Sequence, residues 1–160
     1  MTSGSAPERL DLSFSLVADA EVPSDVGSDE LESLSAFVLA AERATGFWEI
    51  TAALVDDARL QALHRDFMGI DTPTDIMTFP ASDSAGETQG GELAISVDHA
   101  MTQASAWGHS PAEEIAFLVA HGLLHLAGWR DDTDEQRQRM LAWQQDLIDR
   151  WRQESTGQGC

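Results

Sequence analysis

The chain has 160 residues, with 28 acidic side chains against 9 basic ones and a formal net charge of −19; every basic residue is an arginine. That balance argues against a surface built to grip polyanions, since phosphate contacts are normally supplied by Lys and Arg. The only cysteine, Cys160, is the last residue, so an internal disulfide and the framework of a small secreted domain are excluded.

The length suits a single domain over 1–160 with a sizeable core, and mobile ends are expected at about 1–8 and 154–160. Met1 to Arg9 is polar and lacks an apolar core, and no later apolar run is long enough to span a bilayer. A cytoplasmic setting and no membrane partner are the expectations.

Leu10, Leu12, Phe14, Leu16 and Ala18 alternate with polar residues, which predicts a half-buried strand. A break from Pro23 to Gly27 follows. Ser28 is expected to cap an amphipathic helix with the stripe Leu31, Leu34, Val38 and Ala41, stopped by Gly46. Trp48 to Val55 reads as a second strand, and Asp57 to Phe67 as a helix ending at Gly69. The Thr72-Pro73 pair imposes an extended entry into a third strand, Asp75 to Phe79. Ser84 to Gly91 reads as a loop and Glu92 to Val97 as a fourth strand, with Gly90-Gly91 as a tight turn making the last two strands neighbours.

Ser110-Pro111-Ala112-Glu113 has a serine cap, proline at the first position and glutamate at the third, a strong helix start. The helix it opens carries Ile115, Leu118, Val119, Gly122 and Leu126 at helical spacing. Thr133 to Gln136 resembles a second capping box, opening a terminal helix with Met140, Leu141, Leu147, Ile148 and Trp151. The expected fold class is α+β: about four strands in a mixed sheet packed by helices, with the helix from Ser110 at its centre.

That central helix carries the chemistry. His121 and His125 stand four residues apart, so both rings lie on one side and can address one ion. Gly128 falls where a left-handed cap would end the helix and turn the chain back, which lets Asp131 supply a third ligand. Asp132 is the alternative if the turn is one residue longer. A bare HxxxH is often two surface histidines; the added Gly and Asp repeat the zincin-like spacing in which the third ligand follows a glycine turn. Three protein ligands leave tetrahedral zinc one position for water, the catalytic rather than the structural arrangement, so one zinc ion is the expected cofactor. In zinc peptidases the residue after the first histidine is a glutamate base; here it is Gly122, which cannot accept a proton.

HGLLHLAGW, together with TDIMTFP from Thr74 to Pro80 and GGELAI from Gly90 to Ile95, resembles the YbeY family of rRNA-maturation endoribonucleases over about Ala52 to Leu147. The resemblance implies a zinc-binding α+β domain and metal-dependent cleavage of single-stranded RNA. It further implies a role at the 3′ end of small-subunit ribosomal RNA and in ribosome quality control, with ribosomal RNA and small-subunit proteins as partners.

By the same resemblance His121 and His125 match the first two zinc ligands, and Asp131 stands where the family has a third histidine. Asp75 matches the acidic position of the TDV segment and Glu92 that of the GDI strand, so both are candidate catalytic carboxylates; turn chemistry and strand-edge solvation are the alternatives for them. The family's YRG segment reads Phe67-Met68-Gly69, so its phosphate-holding cation is missing, and Arg65 or Arg130 is the replacement candidate. His64, His99 and His109 read as exposed or helix-terminal. Trp48, Trp107, Trp143 and Trp151 read as packing residues, leaving Trp129 as the tryptophan for base stacking. The acidic surface favours a second possibility, a ribosome-assembly factor whose metal mainly holds the fold; a zinc peptidase-like hydrolase is a third.

Overall fold

The computed structural model describes residues 9–81 and 88–158, of which 155–158 are helix backbone alone. Residues 1–8, Ser84 to Glu87 of the expected loop, and 159–160 lie outside the described residues, while 154–158 of the end expected to be mobile are helical.

β1 (Leu10–Ala18) follows the alternation: Leu10, Leu12, Phe14 and Leu16 are half-buried, and Asp11, Ser13 and Ser15 are exposed. α1 (Ser28–Ala41) buries Leu31, Leu34, Val38 and Leu39, but Ser28 is its first residue, and Gly27 holds the cap position with no side-chain hydrogen bond. The helix also stops before Gly46. The Ala44 N–H reaches back to the Leu39 carbonyl at 2.9 Å with Arg43 in the left-handed region at φ 59°, so the turn closes early and Gly46 opens β2 (Gly46–Val55). α2 (Asp57–Met68) is capped by the Asp56 side chain and ends at Gly69, and β3 covers Ile76–Pro80.

β4 (Thr88–Ser96) corrects the expected loop and glycine turn. Gly90 pairs with Glu49, and Gly91 with Ile50 on one side and Pro80 on the other. A Cβ on Gly91 would meet the Phe79 carbonyl and one on Gly90 the Glu49 carbonyl, so the pair serves a close approach of three strands rather than a reversal. β3 and β4 are nonetheless antiparallel neighbours, as expected. The sequence reading also missed α3 (Val97–Trp107), although its signals are local: the Ser96 side chain accepts from the His99 N–H at 3.0 Å, and Gly108 closes the helix. α4 (Pro111–Leu126) has the expected capping box, and α5 (Asp134–Gln158) starts where the Thr133 side chain accepts from the Gln136 N–H at 3.1 Å.

The sheet order is β1-β2-β4-β3, with β1, β2 and β4 parallel and β3 antiparallel at the edge. The α+β class and the four-stranded mixed sheet stand as expected. One sheet face, with Trp48, Ile50, Leu54, Leu93 and Ile95, packs with α1, α4 and α5 into the main core; the other, with Val55, Met77 and Ala94, is covered by Leu60 and Leu63 of α2. α4 touches α1, α3, α5, β3 and β4, so the histidine helix is central. It lies close to the sheet because of Gly122, where a Cβ would sit 2.6 Å from Leu93 Cδ2 and 3.0 Å from Ile76 Cδ1. The same residue that excludes a peptidase base is thus the seat of the helix.

Candidate metal centre

Local sequence rules bring the three expected ligands together. α4 ends in two return bonds, Gly128 N–H to His125 O at 3.0 Å and Trp129 N–H to Leu124 O at 2.9 Å, with Gly128 at φ 110°. This pair is a Schellman cap, and it needs a positive φ that glycine adopts without a Cβ penalty. The reversed chain carries Asp131 back over the helix end. Its Oδ2 lies 3.3 Å from His125 Nε2 and 3.6 Å from His121 Nε2, and the two Nε2 atoms are 3.2 Å apart. Among the described residues this is the one group of three His, Cys, Asp or Glu whose ligand atoms all fall within 4.8 Å of one another.

The surrounding hydrogen bonds decide which atoms face the centre. The His125 Nδ1 lies 3.0 Å from the Trp129 carbonyl, which can only accept, so Nδ1 carries the proton. The His121 Nδ1 lies 2.8 Å from Oε1 of Gln144, a residue with no exposed surface; its Nε2 donates to the Phe117 carbonyl at 3.0 Å, which fixes the amide orientation and makes Oε1 the acceptor. Both rings therefore turn an Nε2 lone pair toward each other and toward a carboxylate. Three converging acceptors repel one another unless a cation joins them. An ion with tetrahedral bonds of about 2.0–2.1 Å needs ligand atoms about 3.3 Å apart, close to the separations found. The donor set fits a divalent metal, and the ligand side chains remain 18%, 25% and 35% exposed, so water reaches the open side.

The other expected residues are distributed differently. Asp132 is turned away: its carboxylate accepts from Arg130 Nε at 2.7 Å and its N–H goes to Gln136. Arg130 and Arg139 line a cavity of about 430 Å³ beside the α4 cap, with Trp129 and Gln136, and no carboxylate belongs to that lining. Asp75 precedes β3 at the other end of α4, where its charge acts on Glu114. Glu92 pairs with Thr51 and Phe79 and is exposed on the α2 face of the sheet, away from α4. Arg65 pairs with its neighbour Asp66 at 3.2 Å in the open.

His64 reaches the Thr72 carbonyl and His99 reaches Gln103. Trp107 is 71% exposed, which corrects its assignment as a packing residue; Trp48 is buried, and Trp143 and Trp151 pack against the main core. Trp129 is also half-buried against that core and gives its indole N–H to Glu42 at 2.6 Å. Sequence reasoning missed Gln144 and Glu42, whose partners lie 23 and 87 residues away.

The family model for Endoribonuclease YbeY matches residues 17–152, which takes in β2, β3, β4 and all three candidate ligands. The chain belongs to the YbeY endoribonuclease family. The YbeY of Geobacillus kaustophilus is 35% identical over 134 residues, covering 77% of this chain and 85% of that protein. The YbeY of Moorella thermoacetica is 38% identical over 136 residues, covering 77% and 87%. The solution structure of TM1509 from Thermotoga maritima shares the fold at a TM-score of 0.55 and 23% identity, covering 89% of this chain and 93% of that one. YbeY membership makes this a chain from a family of RNA-cleaving enzymes, and the triad is its possible metal-binding group. No helix among the described residues is long and apolar enough to cross a membrane.

Proposed function

We propose that this chain is a zinc-dependent endoribonuclease that cleaves single-stranded RNA, acting at the 3′ end of small-subunit ribosomal RNA and in ribosome quality control. The observation that carries the reading is the convergence of two Nε2 lone pairs and the Asp131 carboxylate at tetrahedral spacing in a YbeY chain. His121, His125 and Asp131 are its metal ligands. When bound, zinc supplies Lewis-acid polarisation of a phosphoryl oxygen and activation of water.

The chain's own groups do the rest. Asp131 turns Oδ2 to both histidines, and its second carboxylate oxygen is assigned the proton of the attacking water. Arg130, with Arg139 in the same cavity, holds the backbone phosphate beside the scissile one. Their present partners, Asp132 and Glu135, form exposed pairs worth roughly 0–1 kcal/mol, so exchange for a bidentate phosphate costs little. Asp75 and Glu92 are left roles outside the reacting centre, Asp75 at the far end of α4 and Glu92 across the sheet. The reading includes one domain over 1–160, small-subunit proteins as partners and a cytoplasmic setting.

A second reading, a ribosome-assembly factor that holds metal without cleaving, is favoured by the net charge of −19, which opposes a polyanion. One experiment separates them. Zinc-loaded protein should cut an end-labelled single-stranded RNA while His125→Ala does not, and Asp131→Ala should lose zinc that Asp132→Ala retains. Cleavage that survives His125→Ala, or equal zinc in both aspartate variants, defeats the proposed site; zinc binding without cleavage selects the second reading.

A further inference from the structure

We infer that Glu42 is a positioning residue for the metal centre, acting from α1 through Trp129. Glu42 occupies the C-cap position of α1 and is half-buried. Its Oε1 accepts the Trp129 indole N–H at 2.6 Å and its Oε2 the Trp143 indole N–H at 2.6 Å. An indole has one donor and no acceptor, and a carboxylate has two acceptor oxygens, so the three side chains satisfy one another. Bonds to an ionised acceptor are short and roughly twice as strong as neutral ones.

The two arms differ in what they hold. Trp143 lies in α5, already seated by Met140, Leu147 and Ile148, all essentially fully buried. Trp129 lies in the turn after α4, and that turn supplies the carbonyl that orients His125 and, two residues on, Asp131. Glu42 is the side chain outside this turn that fixes its position by an indole bond. It reaches the centre through Trp129, whose carbonyl sets the His125 tautomer and which lies two residues before the third candidate ligand, Asp131.

The inference rests on the triad being the ligand set, and it is independent of whether RNA is the substrate. The test uses full-length protein and the metal alone: Zn(II) affinity by chelator competition and the visible spectrum of the Co(II) form, for Glu42→Gln, Trp129→Phe and Trp143→Phe. Melting in chelator reports the fold of each. Outer-shell partners of a ligand are worth about 10–100-fold in metal affinity. Glu42→Gln and Trp129→Phe keep the carbonyl itself and act one step behind it, so each should weaken Zn(II) binding by up to about tenfold and change the Co(II) bands, while Trp143→Phe stays within about twofold of the parent. A carboxylate that merely ties α1 to α5 would make the two tryptophan variants alike. Equal losses in both, or parental affinity in Glu42→Gln and Trp129→Phe, overturn the inference while leaving the ligand set intact. A parent protein that binds neither ion overturns the ligand set and the inference with it.

Discussion

The two ends of α4 gather the same kinds of side chain and do different things with them. At the C-terminal end stand His121, His125 and Asp131; at the N-terminal end Glu114 is acted on by His109, Asp75 and His99. Two imidazoles and at least one carboxylate meet at each. The C-terminal group has both Nδ1 atoms committed to fixed acceptors, so both Nε2 lone pairs are aimed at one point. At the N-terminal end His109 Nδ1 lies 3.8 Å from Glu114 Oε1 and His99 is engaged with its own helix neighbour Gln103. Residue types alone do not make a ligand set; the hydrogen bonds behind them do.

The strongest way to break this contrast is to remove the acceptor behind His121. Gln144→Leu leaves the part-buried His121 Nδ1 proton without its partner and removes the bond to Phe117. An unsatisfied buried polar group costs about 1–3 kcal/mol, and an orienting partner about 10–100-fold in metal affinity. Urea unfolding of the metal-free protein and a chelator titration should register both losses. Parental metal affinity in Gln144→Leu would mean that the tautomer is not held from α5 and that the two ends of α4 differ for some other reason.

Gly122 offers the next effect, because one helix seat serves both ends. A larger side chain there meets Leu93 and Ile76, and overpacking of this kind costs about 1–3 kcal/mol, partly offset by the better helix propensity of the new residue. Gly122→Leu should lower the urea midpoint and weaken metal binding as α4 lifts from the sheet. An unchanged midpoint would show that Leu93 and Ile76 can move aside, and the close approach would then not be what sets the histidines.

These variants also mark what the sequence disclosed. The histidine pair, the Ser110 capping box, the Gly128 reversal and Asp131 were legible because each is written within a few residues of itself. Asp132 stayed open as the alternative in the sequence, and only the fold turns its carboxylate to Arg130. The residues behind them were not: Gln144 looks like any polar residue of a terminal helix, and Glu42 like a solvated helix end, until chain separations of 23 and 101 residues close. Gly90-Gly91 misled for a similar reason. A glycine pair signals a turn locally, but here the carbonyls of two neighbouring strands leave no space for a Cβ. α3 had a serine cap and a glycine stop and was lost by extending β4 one residue too far. Glu92 and Asp75 carried family positions but no information about sheet face or helix end, and pairing register assigns the face.

The smallest effect belongs to the N-terminal end and tests its independence. Glu114 is 8% exposed, and burial pushes its carboxyl above the usual value of 4.5, with His109 opposing and Asp75 reinforcing. A carboxyl whose folded pKa exceeds its unfolded value binds its proton more tightly in the native state. Its contribution to stability is therefore present at low pH and lost as pH rises from 4.5 through the folded value. Glu114→Gln removes that ionisation, so the variant's melting temperature should fall less than the parent's between pH 4.5 and neutrality. Seven residues of helix, about 10 Å, separate Glu114 from His121, and the hydrogen bonds that aim the two rings come from α5 and the Trp129 turn. Zinc affinity of Glu114→Gln should accordingly match the parent within about twofold, against the 10–100-fold expected at a true outer-shell partner. A large loss of zinc in Glu114→Gln would join the two ends of α4 into one functional unit and make its buried carboxylate part of the metal centre's support.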